Sequence, residues 1–210
     1  MLDNSLSRRQ LMRFGGAGLG AAVLTACGTN KTPVVVEPIK SRPKTQTGRG
    51  GNQVLRIFAC SGFLDKSERV NTAVNRLNAC GFQVSNAEAA YRRYQRFAGS
   101  DSQRVQDLQD VATGRVATPK VLLGARGGYG AIRLLPQINW DGLGGRMREQ
   151  GTLMMGYSDV CAIQLALLAQ TGVPSFAGPM LYSEFGSPNP STFTMQNFID
   201  GTTQAEHTVN

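Results

Sequence analysis

The sequence predicts an α/β fold: a Rossmann- or flavodoxin-like parallel sheet flanked by helices, with a candidate nucleophile at a strand-to-helix turn. Three observations predict it. Short apolar runs at residues 54–59, 82–84, 121–123 and 152–155 have the length of buried strands. Between them, residues 66–79 and 102–112 place apolar side chains at helical spacing, so strand and helix alternate. The third observation is Gly156-Tyr157-Ser158-Asp159, where a buried strand breaks at glycine and turns straight into the apolar run 160–168. Strands separated by helices pair in parallel through right-handed crossovers, and in such sheets the ligand site lies at the carboxyl ends of the strands.

Taken in order, the chain begins with an address. Residues 1–26 have the form of a twin-arginine, lipoprotein-type signal peptide, with Arg8 and Arg9 preceding a glycine-rich, mildly apolar run too short to span a bilayer. The run ends in Leu24-Thr25-Ala26-Cys27, which resembles a bacterial lipobox and implies a lipid anchor on Cys27 at the membrane. An ordinary small-residue cleavage site followed by cysteine is the alternative. The expected location is the bacterial cell envelope, on the periplasmic side. Residues 27–52 are rich in Pro, Gly, Thr, Lys and Arg and poor in apolar residues, the composition of a disordered tether. Residues 53–183 form the expected domain, and residues 184–210 read as a polar, truncated tail.

The net charge is +8, of which residues 1–26 hold +2 and residues 27–50 hold +4, leaving +2 for the remainder. A nearly neutral body has no electrostatic footprint for nucleic acid, so none is expected as a partner. Beyond Cys27, Cys60, Cys80 and Cys161 lie in apolar settings without metal-ligand spacing. Buried free thiols are expected, and one disulfide among them stays open.

Within the domain, Val70, Ala73, Val74 and Leu77 make the inner stripe of the first helix, which Gly81 stops. Val105, Leu108, Val111 and Ala112 do the same for the second. The strand at 121–123 runs into Gly124-Ala125-Arg126-Gly127-Gly128-Tyr129-Gly130, and a further helix is expected to start at Ala131. Consecutive glycines let backbone N–H groups approach a ligand closely. The spacing fits neither common nucleotide-binding glycine motif, which disfavours a phosphate cradle. Ser158 lies at the first turn of the next helix, beside amides without intrahelical partners, where an oxyanion would be stabilised. Ser158 or Asp159 as a simple helix cap is the plainer alternative. The usual nucleophile elbow wants glycine where Val160 stands, so that family is excluded.

Five ordered blocks carry a wider similarity: Arg92-Arg93-Tyr94 with 97–101; Arg104 with Asp107-Leu108; 126–130 with 133–136 and Trp140; 156–159; and 172–174 with Gly178-Pro179. In order and spacing, residues 54–180 resemble the muramoyltetrapeptide carboxypeptidase (LD-carboxypeptidase) family, N-terminal domain only. The resemblance implies a serine peptidase that removes the terminal D-alanine from murein tetrapeptides in peptidoglycan turnover. It places the nucleophile on Ser158 and the oxyanion hole on the N–H of Asp159 and one from Gly127 or Gly128. It also implies peptide contacts at Arg126 and Tyr129, and no metal or cofactor.

Departures qualify that implication. The family's relay glutamate and histidine belong to a second domain that nothing in this sequence resembles, and a family histidine before Gly178-Pro179 is replaced by Ala177. The one histidine, His207, stands in a polar segment. The expectation is therefore a truncated peptidase, inactive alone, since a serine without its base is a weak nucleophile. The alternative is a non-catalytic, muropeptide-binding envelope lipoprotein. A surface left uncovered by a second domain would favour association, so a homodimer is a candidate assembly.

Overall fold

Strand β1 (Val54–Phe58) is an interior strand of a sheet in the computed structural model, which describes residues 53–203. The expected leader with Cys27 and the histidine at 207 fall outside those residues. On one side β1 pairs with β2 (Gln83–Ser85), on the other with β3 (Val121–Gly124), followed by β4 (Leu153–Gly156) and β5 (Phe176–Ala177). All pairings are parallel and the order is β2-β1-β3-β4-β5, the flavodoxin-like arrangement. The chain leaves β1 in one direction and returns on its other side, so the switch point falls between β1 and β3. Phe58 pairs with Gly124 and Gly156 with Ala177, which sets the carboxyl ends of the strands along one edge.

The central strands are buried on both faces, which is why they read as continuous apolar runs rather than alternating ones. Leu55, Ile57, Val121, Leu123 and Met155 pack with α1 (Ser67–Ala79) on one face. Phe58, Leu122 and Met154 pack on the other with α2 (Asp101–Ala112), α3 (Trp140–Gln150) and α4 (Cys161–Thr171). Arg56 points to this second face, where it donates to the Asp107 carbonyl at 3.1 Å and to the Asp110 carboxylate at 3.3 Å.

Local chemistry sets the helix ends. Ser100 accepts from the Gln103 amide while the Gln103 side chain accepts from the Ser100 amide, a capping box that starts α2. The start expected at Ala131 is a 3-10 segment, Ala131–Gln137, containing Pro136, which denies the backbone a continuing α-helix. Helix α3 carries no helical signature of its own, because Gly142, Gly144 and Gly145 oppose helix formation. It forms because Leu143 and Met147 are buried, Asn139 accepts from the Gly142 amide at 3.0 Å, and Gly144 lets α3 sit against Thr171 of α4.

Residues 184–203 differ from the expected polar tail. A π-helical turn, Leu181–Phe185, is held to α1 by two arginines: Arg69 donates to the carbonyls of Tyr182 at 2.9 Å and Gly186 at 3.0 Å. Arg76 donates to those of Phe185 and Ser187. Beyond it, α5 (Thr192–Thr203) buries Phe198 against Phe185 and Phe82, with ring centroids 4.8 and 5.4 Å apart. The apolar side chains of this helix are few among Thr, Asn and Gln, so composition hides its inner face.

Candidate active site

β4 enters the site through Gly156, where a Cβ would lie 2.7 Å from Val160 Cγ1. Two residues on, Ser158 has φ +60°, a left-handed conformation that costs a non-glycine residue about 1–3 kcal/mol. Such strain persists only where the surroundings over-determine it. The Ser158 hydroxyl caps neither the short 3-10 turn Ser158–Val160 nor α4, so the capping alternative fails. No hydrogen bond to that hydroxyl exists among the described residues.

Asp159 supplies part of the over-determination. Its Oδ2 accepts from the buried Ser61 hydroxyl at 2.7 Å and from the Ala131 amide at 2.9 Å. One carboxylate thus ties together the segments that follow β1, β3 and β4, and it is committed there. Its own amide belongs to the first turn of the helix, where intrahelical partners are lacking.

Gly127 closes against the serine from the β3 side. A Cβ there would sit 2.8 Å from Ser158 Cβ, 2.9 Å from its Oγ and 3.7 Å from the Asp159 nitrogen. The Gly127 carbonyl accepts from the Gly62 amide at 3.3 Å. Because the peptide is planar and trans, the Gly128 N–H points the opposite way from that carbonyl. Gly128 itself has φ +126°. The glycine-rich loop therefore lays bare backbone, with no side chain between, along the nucleophile candidate.

Arg126, Gly127, Gly128, Tyr157, Ser158, Met180, Tyr182 and Ser183 line an open cleft of about 220 Å³. Arg126 is oriented by donation to the Phe63 carbonyl. The Tyr157 hydroxyl, whose pKa is raised chiefly by burial, lies 3.0 Å from Ser183 Oγ and donates to Glu184 Oε1 at 2.9 Å. The other Glu184 oxygen accepts from the Met180 amide at 2.7 Å and from Ser183 at 2.8 Å. Tyr182 donates to Asp65, and that bond is the main reason the Asp65 carboxyl stays below its usual range.

The structure brings Ser158, Asp159, Gly127, Gly128 and Arg126 together, but not Tyr129. That ring is exposed, 6.4 Å from Phe97, and stands outside the lining of the cleft. The fully buried Arg104 holds the loops from beneath, donating to Cys60 O at 2.6 Å and Gly130 O at 3.2 Å. Cys60 is no rival nucleophile, since burial pushes its thiol up to about 12. Cys60, Cys80 and Cys161 are all free, with only Cys60 fully buried. Among the described residues no group of three or more His, Cys, Asp or Glu could hold a metal.

This geometry coincides with a known domain. Residues 55–178 match the family described as the LD-carboxypeptidase N-terminal domain. The chain belongs to the LD-carboxypeptidase family. It is 28% identical over 131 residues to the probable murein peptide carboxypeptidase of Bacillus subtilis, covering 62% of this chain and 39% of that protein. The crystal structure of muramoyltetrapeptide carboxypeptidase from Oxalobacter formigenes superposes with a TM-score of 0.61 at 31% identity, over 70% of this chain and 47% of that one. An MccF-like protein from Bacillus anthracis gives 0.62 at 29%, over 72% and 45%. The chain thus spans about half or less of the length of the relatives it matches.

Ser61, Tyr157, Met180, Tyr182, Ser183 and Glu184 also build the candidate site of this LD-carboxypeptidase domain, and sequence reasoning did not single them out. Tyr157, beside Ser158 in the turn, carried the one available signal. The others come from a strand end and a turn with no motif of their own.

Proposed function

We propose that this domain is the nucleophile-bearing half of a serine LD-carboxypeptidase acting on murein tetrapeptides. The observation that carries the reading is Ser158: a strained serine, its hydroxyl uncommitted, set against the bare backbone of Gly127 in a cleft that also presents Arg126. In the proposed reaction Oγ attacks the carbonyl before the terminal D-alanine. The developing oxyanion takes hydrogen bonds from the Asp159 and Gly128 amides, groups that need no reorganisation to receive it. The proton from Oγ passes to a base and then to the departing amine of D-alanine, and water hydrolyses the resulting ester. Arg126 receives the terminal carboxylate as a charge-assisted hydrogen bond.

Residues 53–203 offer no histidine, and the carboxylates of Asp159 and Glu184 are committed to other donors. We therefore propose that the base comes from outside these residues and that the 210-residue chain alone releases little or no D-alanine. The direct test is a tetrapeptide analogue with a boronic acid in place of the scissile carbonyl, which forms a tetrahedral adduct with a serine hydroxyl. Binding to the wild-type chain is expected, and Ser158→Ala is expected to weaken it at least about tenfold. Equal binding to both overturns the nucleophile assignment. D-alanine release by the unaided chain, abolished by Ser158→Ala, overturns the inactivity. Tetrapeptide affinity without adduct formation supports the non-catalytic binding reading instead.

A further inference from the structure

The carboxyl edge of the sheet carries a second charged feature, which adjoins the cleft at Arg126 and extends beyond its lining. Phe63, two residues beyond Ser61, is the hub. Arg126 donates to its carbonyl, the Arg93 guanidinium lies 4.2 Å from its ring centroid, and its amide donates to the Arg96 carbonyl at 3.1 Å. Arg93 and Arg96 are exposed. Among the described residues none of the three arginines lies within salt-bridge distance of a carboxylate, whereas Arg92, Arg104 and Arg133 each do.

The loop that presents them is fixed. Tyr94 and Phe97 exchange backbone hydrogen bonds at 2.9 Å each way, and the Ala98 amide donates to the Ser61 carbonyl at 3.0 Å. Arg92 anchors the start of the loop to the buried Asp107 at 2.6 Å. Asp65, in electrostatic reach of Arg126 and Lys66, is engaged by the Tyr182 hydroxyl. An arginine stacked on an aromatic face keeps its N–H edge free for a planar anion. Arg93, stacked on Phe63, and the exposed Arg96 are thus both open to an anion from solvent.

We infer that Arg93, with Arg96, forms a second anion subsite that takes a carboxylate of the peptide distant from the one beside Ser158. The inference rests on the peptidase reading above. An open cleft of about 220 Å³ does not enclose a ligand of tetrapeptide size, so part of such a peptide extends beyond its lining. The loops adjoin: Gly127 abuts Ser158, and a Cβ on Gly62 would lie 3.3 Å from the Gly127 carbonyl oxygen and 3.7 Å from that of Arg96. The substrate class selected is a peptide with at least two free carboxylates, one terminal and one internal.

The test uses calorimetric binding of the full chain to L-alanyl-γ-D-glutamyl-diaminopimelyl-D-alanine and to the analogue whose glutamyl α-carboxylate is amidated. Arg93→Ala is expected to weaken the free-acid peptide about tenfold, to leave the amidated one unchanged and to lower the salt dependence, while Arg93→Lys keeps part of the affinity. Arg93→Ala acting alike on both peptides, or on neither, overturns the subsite and leaves the peptide reading standing. Wild-type binding of neither peptide overturns both.

Discussion

Ser158 holds a left-handed backbone conformation with its hydroxyl set against the bare backbone of Gly127. Its place at a strand-to-helix turn was legible because the apolar run, the glycine and the helix are contiguous in sequence. The reason it stays in a left-handed conformation was not, since Asp159 is held by Ser61, separated by 98 positions, and by Ala131, separated by 28. Tyr129 shows the converse: a motif names a neighbourhood, and backbone geometry decides which of its side chains lines the cleft, here Arg126 and not Tyr129. Glycine makes a test at this scale. Gly127→Ala forces a methyl to within 3 Å of Ser158 Cβ and Oγ, and is expected to lower stability by about 1–3 kcal/mol in denaturant unfolding and to abolish boronate binding. Gly145→Ala, at a half-buried position of α3 with nothing near its Cβ, is expected to raise stability by about 0.5–1 kcal/mol.

At the scale of elements, β1, β3 and β4 and the helices α1, α2 and α4 were readable within a residue or a few, because each carries its own period or its own apolar run. α3 and α5 were not, because the first is glycine-rich and the second mostly polar. Both exist through contacts that the local sequence does not record: Leu143 and Met147 in one case, Phe198 in the other. Phe198→Ala is expected to cost about 3 kcal/mol, since it removes the ring that fills the space between Phe82 and Phe185. The exposed Phe193 on the same helix is the control, and Phe193→Ser is expected to change stability by less than about 0.5 kcal/mol. Parity between the two would mean that α5 does not pack as described.

For the whole molecule, the excess positive charge and the lipobox-like Leu24-Thr25-Ala26-Cys27 precede the folded body, and they support our proposal that the domain is tethered to a membrane through a lipid on Cys27. Cys27→Ala is expected to shift the protein from the membrane to the soluble fraction of cells, and unchanged membrane fractionation would reject the anchor. The two arginines of α1 add a consequence in time. They grip carbonyls 109 to 117 positions further along, so the wall of the cleft built by Met180, Tyr182 and Ser183 cannot set until the last part of the domain has left the ribosome. During synthesis the serine is therefore made before its pocket. A nascent chain halted soon after α4 would carry the hydroxyl on an open shelf, unable to select what it meets.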